Sequence, residues 1–212
     1  MNLTTNPKAT KDDLVVAAAR LLATHGYRGL TARSLARAVN ASTMAVYTHF
    51  GSMPAVVHAV IAEAFARLDD HLARCLADLP AEPADSADPF RDLRAMALAY
   101  RDNALANPHL YAVMFGGPQA IGTELTDEDL ANAESSLRTV ADATARARDA
   151  GQLVDLDKWE LARRLWAAAH GAVLLELGGY LGNPMRAREI FVAVTDAVLA
   201  GMAPSAADPG SR

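Results

Sequence analysis

Apolar residues recur three and four apart over one long stretch: Val57, Val60 and Ile61, Ala64 and Phe65, Leu68, Leu72, Cys75 and Leu76, then Leu79. That spacing draws a stripe along a long helix, whereas a strand would need alternation by two. No persuasive strand and no internal repeat occurs elsewhere. Alanine, the best helix former, supplies 46 of the 212 residues, while aromatics make only 6%. This balance also favours helix. The chain is read as all-α, with about nine helices.

Breakers divide it. Thr10 is a candidate N-cap with Asp13 three residues on, and Leu14, Ala18, Leu21 and Leu22 then recur at helical spacing until Gly26. Thr31 opens a short helix in which Leu35 and Val39 can face inward. Asn40-Ala41 makes a tight turn, and Ser42 caps a third helix carrying Val46, Tyr47 and Phe50. Gly51-Ser52 separates it from the long fourth helix, where Pro54 sits in the first turn at little cost.

Pro80 to Pro89 is a breaker-rich loop. A helix restarts at Asp88 or Pro89 and runs to Ala106, and Asn107-Pro108 opens a short segment ended by Gly116-Gly117-Pro118. A helix from Thr126 to Ala150 is expected to bury Leu130, Leu137, Val140 and Ala141. Asp157 caps another, running to about Leu181, and Met185 to Met202 forms the last. Between Leu165 and Leu177 the chain is apolar nearly all round, so that helix needs neighbours on two sides.

The single cysteine, Cys75, excludes an internal disulfide framework and a cysteine-rich zinc module. No apolar run reaches the roughly 18 residues of a membrane helix. Met1 to Thr10 lacks the apolar stretch of a secretion signal, so the cytoplasm is the expected compartment. Net charge is −5, which taken whole argues against a nucleic-acid partner. The total hides a split. Residues 1–60 hold Lys8, Lys11, Arg20, Arg28, Arg33 and Arg37 against Asp12 and Asp13, a net of +4. Residues 61–212 hold 14 basic and 23 acidic residues, a net of −9. A basic head on an acidic body calls for two jobs.

Two short helices joined by a tight turn, behind a supporting helix, describe a helix-turn-helix, whose second member enters the major groove. The run from Gly26 to Val60 resembles the DNA-binding domain of the tetracycline-repressor family. Gly26-Tyr27, the Leu-Thr-x-Arg-x-Leu-Ala of residues 30–36, Ser42, Val46-Tyr47-x-His49-Phe50 and Ser52 carry the likeness. The resemblance implies that Thr31 and Tyr47 touch phosphates or the groove wall. It places Thr43, Met44, Ala45 and Thr48 against bases and His49 on a phosphate, while the backbone amides at the Ser42 cap can approach a phosphate. Arg33 would pair with a guanine edge through its planar fork. The alternatives are a solvated Arg33, a His49 without a phosphate contact, and a Tyr47 and Phe50 that only pack the head. Met53 stands where family members commonly carry a lysine, and so does Thr43. Fewer cations on phosphate mean weaker and less salt-dependent binding. Arg20, Arg28, Arg37 and Lys11 are the cations left to compensate.

In the body, Trp166, His170 and Gly171 resemble the Trp-His-Gly signature of a C-terminal subtype of the same family, as does the segment from Asn107 to Phe115. Trp166 and His170 are four apart, hence on one helix face. Together with Met96, Tyr100, Tyr111, Met114, Phe115 and Leu174 they are the candidate lining of a small-molecule site. For His170 and the Met and aromatic positions, hydrogen-bonded or apolar core is the alternative. The resemblance further implies that the last two helices pair with a second copy. A twofold dimer presents two reader helices about 34 Å apart to a near-palindromic operator.

The expected protein is therefore a homodimeric, ligand-responsive transcriptional regulator, its partners being double-stranded operator DNA and an unidentified small-molecule effector. Residues 1–52 form the reader, 53–203 the ligand-binding and dimerisation part, and 204–212 a tail. No cofactor, metal or catalytic residue is expected. GxSxG, HExxH, P-loop and GxGxxG motifs are absent, and the six histidines make no metal-ligand pair at helical spacing. A helical enzyme and a scaffold that has lost DNA binding remain the rival classes.

Overall fold

Helices occupy most of residues 9–79, 90–117 and 121–204, the parts that the computed structural model describes. Among these residues there are nine helices and no strand. They are α1 (Lys11–Gly29), α2 (Ala32–Ala38), α3 (Thr43–Phe50), α4 (Met53–Ala77), α5 (Arg91–Ala106), α6 (Pro108–Phe115), α7 (Asp127–Asp149), α8 (Lys158–Leu177) and α9 (Pro184–Gly201). The breaker-rich stretch Pro80 to Pro89, the helix start at Asp88 or Pro89, Pro118 and most of the tail lie outside the described residues. The chain divides into two compact units, residues 1–67 with 106–133 and residues 68–105 with 134–212.

The first unit builds its core from Leu14, Ala18 and Leu22 of α1, Leu35 of α2, Val46 of α3 and Val57, Ile61 and Phe65 of α4. Leu110 and Val113 of α6 and Ile121 complete it, and α6 lies along α1. Local chemistry sets the helix starts. The Thr10 hydroxyl accepts from the Asp13 amide at 3.2 Å while the Asp13 carboxylate accepts from the Thr10 amide at 2.9 Å. This reciprocal cap satisfies two donors that the helix leaves open. The Thr10 amide, then its hydroxyl, lowers the Asp13 pKa. Thr31 and Ser34 repeat the arrangement on α2, and Ser52 accepts from Ala55 at the head of α4.

Gly26, at φ 65°, interrupts α1 where the sequence predicts its end, and one further turn follows before Leu30. The α2–α3 turn puts Asn40 at φ 56°, the left-handed region that asparagine tolerates better than most residues. The Ala41 amide then closes back on the Ala36 carbonyl at 2.8 Å.

In the second unit, α8 and α9 pack against each other over Leu161, Leu165 and Val173 on one side and Ala187, Phe191 and Leu199 on the other. Arg101 donates from Nη2 and Nε to the two carboxylate oxygens of Glu176 at 2.6 and 2.8 Å, with both side chains almost withdrawn from solvent. The two-pronged geometry offsets the water that burial removes from both groups. Ser136 donates to Asp69, whose pKa burial nevertheless raises.

Two expectations are corrected. Ala141 is buried as expected and Leu137 and Val140 are half-buried, but Leu130 is 53% exposed, and the buried face of α7 also takes in Asp129, Ser136, Ala143, Thr144 and Ala147. Asp129 turns inward because Thr126 caps through it and His58 bonds it, which rotates Leu130 outward. α8 ends at Leu177, four residues early. Gly179 takes φ 77°, and the Tyr180 amide bonds the Leu175 carbonyl at 2.9 Å, a turn that no longer propagates the helix.

Candidate nucleic-acid interface and body site

Ser42 opens α3 by accepting from the Ala45 amide at 3.2 Å. Val46 is the buried anchor of this helix, and Phe50 packs partly against the same core. Ser42, Thr43, Met44, Tyr47, Thr48 and His49 are all exposed, Met44 at 72% and Tyr47 at 47%, and Ala45 is half-buried. The Thr48 hydroxyl donates to the Met44 carbonyl at 2.9 Å. A methionine and a tyrosine exposed to this degree on a short helix are costly in water and suited to a covering surface.

On α2, Arg33 is exposed and Thr31 is spent on the cap, its hydroxyl donating to Ser34 Oγ at 3.0 Å and accepting from the Ser34 amide at 3.0 Å. A phosphate contact by Thr31 would therefore use the remaining lone pair or the neighbouring amides.

Charge sharpens this surface. Among the described residues, Lys11, Arg20, Arg28, Arg33 and Arg37 take part in no ion pair. Cations beyond the head are commonly neutralised: Arg67 by Glu63, Arg94 by Asp196, Lys158 by Asp142, Arg164 by Glu160. The head thus keeps its positive charge available.

Pairings over long sequence distances are not visible in the chain. His58 Nδ1 lies 2.7 Å from Asp129 Oδ2, and the same oxygen accepts from the Thr126 amide and hydroxyl at 2.8 and 2.7 Å. Tyr27 packs onto Gly122, which stands at φ 71°. A Cβ there would fall inside the Tyr27 ring, so both conformation and space require glycine. The Gly26-Tyr27 motif is the only signal in the sequence for this contact.

The candidate effector lining falls in both units. In the second, the Trp166 indole N–H donates to the Tyr100 hydroxyl at 3.3 Å, and that hydroxyl lies 3.1 Å from His170 Nδ1. The Trp166 and His170 ring centroids are 5.6 Å apart. Burial lowers the His170 pKa, favouring the neutral imidazole. Met96 is buried and Leu174 is half exposed. In the first unit, Tyr111 is buried and stacks edge-on with Phe115 at 4.9 Å, and Met114 packs against the head core. Among the described residues, no group of three His, Cys, Asp or Glu side chains is placed to hold a metal, and no single helix is long and apolar enough to cross a membrane.

A capped helix-turn-helix whose outward face joins polar, apolar and unneutralised basic groups defines a DNA-binding module. Residues 14–60 match the model described as bacterial regulatory proteins, tetR family, and residues 93–198, half of the chain, match the tetracyclin repressor-like C-terminal domain. The chain belongs to the tetracycline-repressor family of DNA-binding transcriptional regulators, a family of regulators and not of enzymes. Solved structures agree. A protein of unknown function from a Rhodococcus species superposes with a TM-score of 0.74 at 28% identity, over 92% of this chain and 95% of that one. The family regulator PfmR from Thermus thermophilus gives 0.69 at 21%, over 88% and 97%. The ketosteroid transcriptional regulator KstR2 of Mycobacterium tuberculosis gives 0.63 at 17%, over 96% and 100%. The last two identities speak for the fold alone. No curated protein matches the chain.

Proposed function

We propose that the protein is a homodimeric repressor that binds a near-palindromic operator and is released by a small-molecule effector. The observation that carries this reading is the outward face of α3 on a unit in which Lys11, Arg20, Arg28, Arg33 and Arg37 join no ion pair among the described residues. Residues 1–52 serve as the reader, with Thr31, Arg33, Ser42, Thr43, Met44, Ala45, Tyr47, Thr48 and His49 on the duplex. Residues 53–203 serve for effector binding and dimerisation.

Dimerisation is supported by apolar side chains that α8 and α9 leave in solvent, Trp166, Leu174, Leu175, Leu177 and Val194. An exposed apolar patch on this scale usually marks an interface. A twofold pairing there gives the second neighbour that the all-round apolar α8 requires. Effector binding is supported by the Tyr100–His170–Trp166 cluster, three polar atoms set among apolar side chains, as in small-molecule sites. In this reading the effector favours a form whose reader helices no longer match the groove spacing. A coupling of about 1–3 kcal/mol then weakens DNA binding roughly 5–150-fold.

Selection of duplex fragments from a random-sequence library by the purified protein tests the reading. A near-palindromic consensus is expected. Arg33→Ala is expected to cost about 1–3 kcal/mol and to relax preference at one base pair per half-site. Recovery of no fragment at low salt would leave a scaffold without DNA binding.

A further inference from the structure

Lys11 is the first residue of α1, a position where the helix dipole favours acids, and Asp12 and Asp13 follow it. A lysine there does nothing for the helix. Its ammonium instead reaches the end of α3, 5.9 Å above the centre of the Phe50 ring. The aromatic face attracts the cation and limits where its flexible stem can point. His49, exposed and next in the chain, holds its ring 6.2 Å from that of Phe50. Among the described residues Lys11 has no carboxylate partner. Met53, three residues beyond Phe50, is apolar and packs toward the head core, so it supplies no charge at this end of α3.

The eight residues of α3 span about 12 Å, comparable to the width of the major groove. With base edges met near its N-terminus, its C-terminal end comes to the groove rim, where the backbone phosphates run. We infer that Lys11, held over Phe50, is a phosphate-contacting residue that clamps the C-terminal end of the reader helix to the DNA backbone. Phe50 is its positioning residue. The inference rests on the DNA-binding reading above and singles out one of four cations that the sequence left equivalent.

The test is operator affinity of the full-length wild type, Lys11→Met and Lys11→Arg between 50 and 200 mM salt. The probes are a duplex recovered by the wild type from the random library and a mixed-sequence duplex of equal length. Each lost phosphate contact removes about 0.9 from the salt slope, about 1.8 for two protomers. The advantage of wild type over Lys11→Met should therefore shrink about twelvefold across that range, on both duplexes. Lys11→Arg should keep the wild-type slope. The melting temperature of Lys11→Met should be unchanged or higher, since an unfavourable charge leaves the helix start. An unchanged slope, or a lowered melting temperature with an unchanged slope, overturns the assignment while leaving the DNA-binding reading intact. Failure of the wild type to bind either duplex overturns both.

Discussion

His170 sits in a side-chain cluster whose chemistry reaches into the pH dependence of stability. Tyr100 bonds its Nδ1, the Trp166 ring lies beside it, and burial holds its pKa below the ordinary 6.5. Between that depressed value and 6.5 the unfolded chain binds more protons than the native one. Stability therefore rises with pH across this window and is lost as pH falls below about 6.5, until the native imidazole also protonates. His170→Gln is expected to flatten this part of the stability profile. Paired denaturant titrations of variant and wild type from pH 7.5 to 5 measure it, and identical slopes against pH would show that His170 is not the responsible group. At this scale the sequence exposes the pairing of Trp166 with His170, because both lie on one helix face. It offers Tyr100 only as one of several companions, and the structure makes its hydroxyl the atom that meets both side chains, 66 and 70 residues away.

The helix-turn-helix elements are readable from the chain because their determinants are local. Thr31, Ser42 and Ser52 accept amide protons three residues on, where the sequence places them as caps. Ser42→Ala is expected to lower stability by about 0.5–2 kcal/mol through loss of the α3 cap. Ser42→Asp keeps an acceptor there but brings a negative charge toward phosphate. It should retain the melting temperature and lose DNA affinity. Thermal melts read beside operator titrations separate the two effects; an equal loss of stability in both variants would mean the cap is not what Ser42 provides. The inward face of α7 departs from its hydropathy pattern. Leu130 is apolar and Asp129 is charged, so hydropathy alone favours burying the leucine. Three hydrogen bonds to one Asp129 oxygen outweigh that preference, and one of them comes from His58 in another helix.

For the whole molecule, the net charge of −5 conceals a head that keeps its cations free and a body that pairs many of its own. The apolar surface left on α8 and α9 belongs to this scale, since a monomer gains nothing from exposing it. Leu175→Glu combined with Val194→Glu is expected to yield monomers by sedimentation velocity. Operator affinity should then fall by about 10²- to 10⁴-fold, the loss of two-site binding, while an isolated half-site is still bound weakly. A dimer that survives both charges would place the interface elsewhere.

The sequence alone determined the all-helical class, the cadence of caps and breakers, and the reader helix with its outward residues. Each of these depends on interactions within about four residues, which periodicity and capping chemistry record directly. Only the tertiary structure decided the inward turn of Asp129, the Arg101–Glu176 pair, the close fit of Tyr27 on Gly122 and the seat of Lys11 over Phe50. Those contacts join residues far apart in the chain. Their partners are chosen by how helices pack and by which buried polar atoms must be satisfied together, and a local pattern carries no record of either.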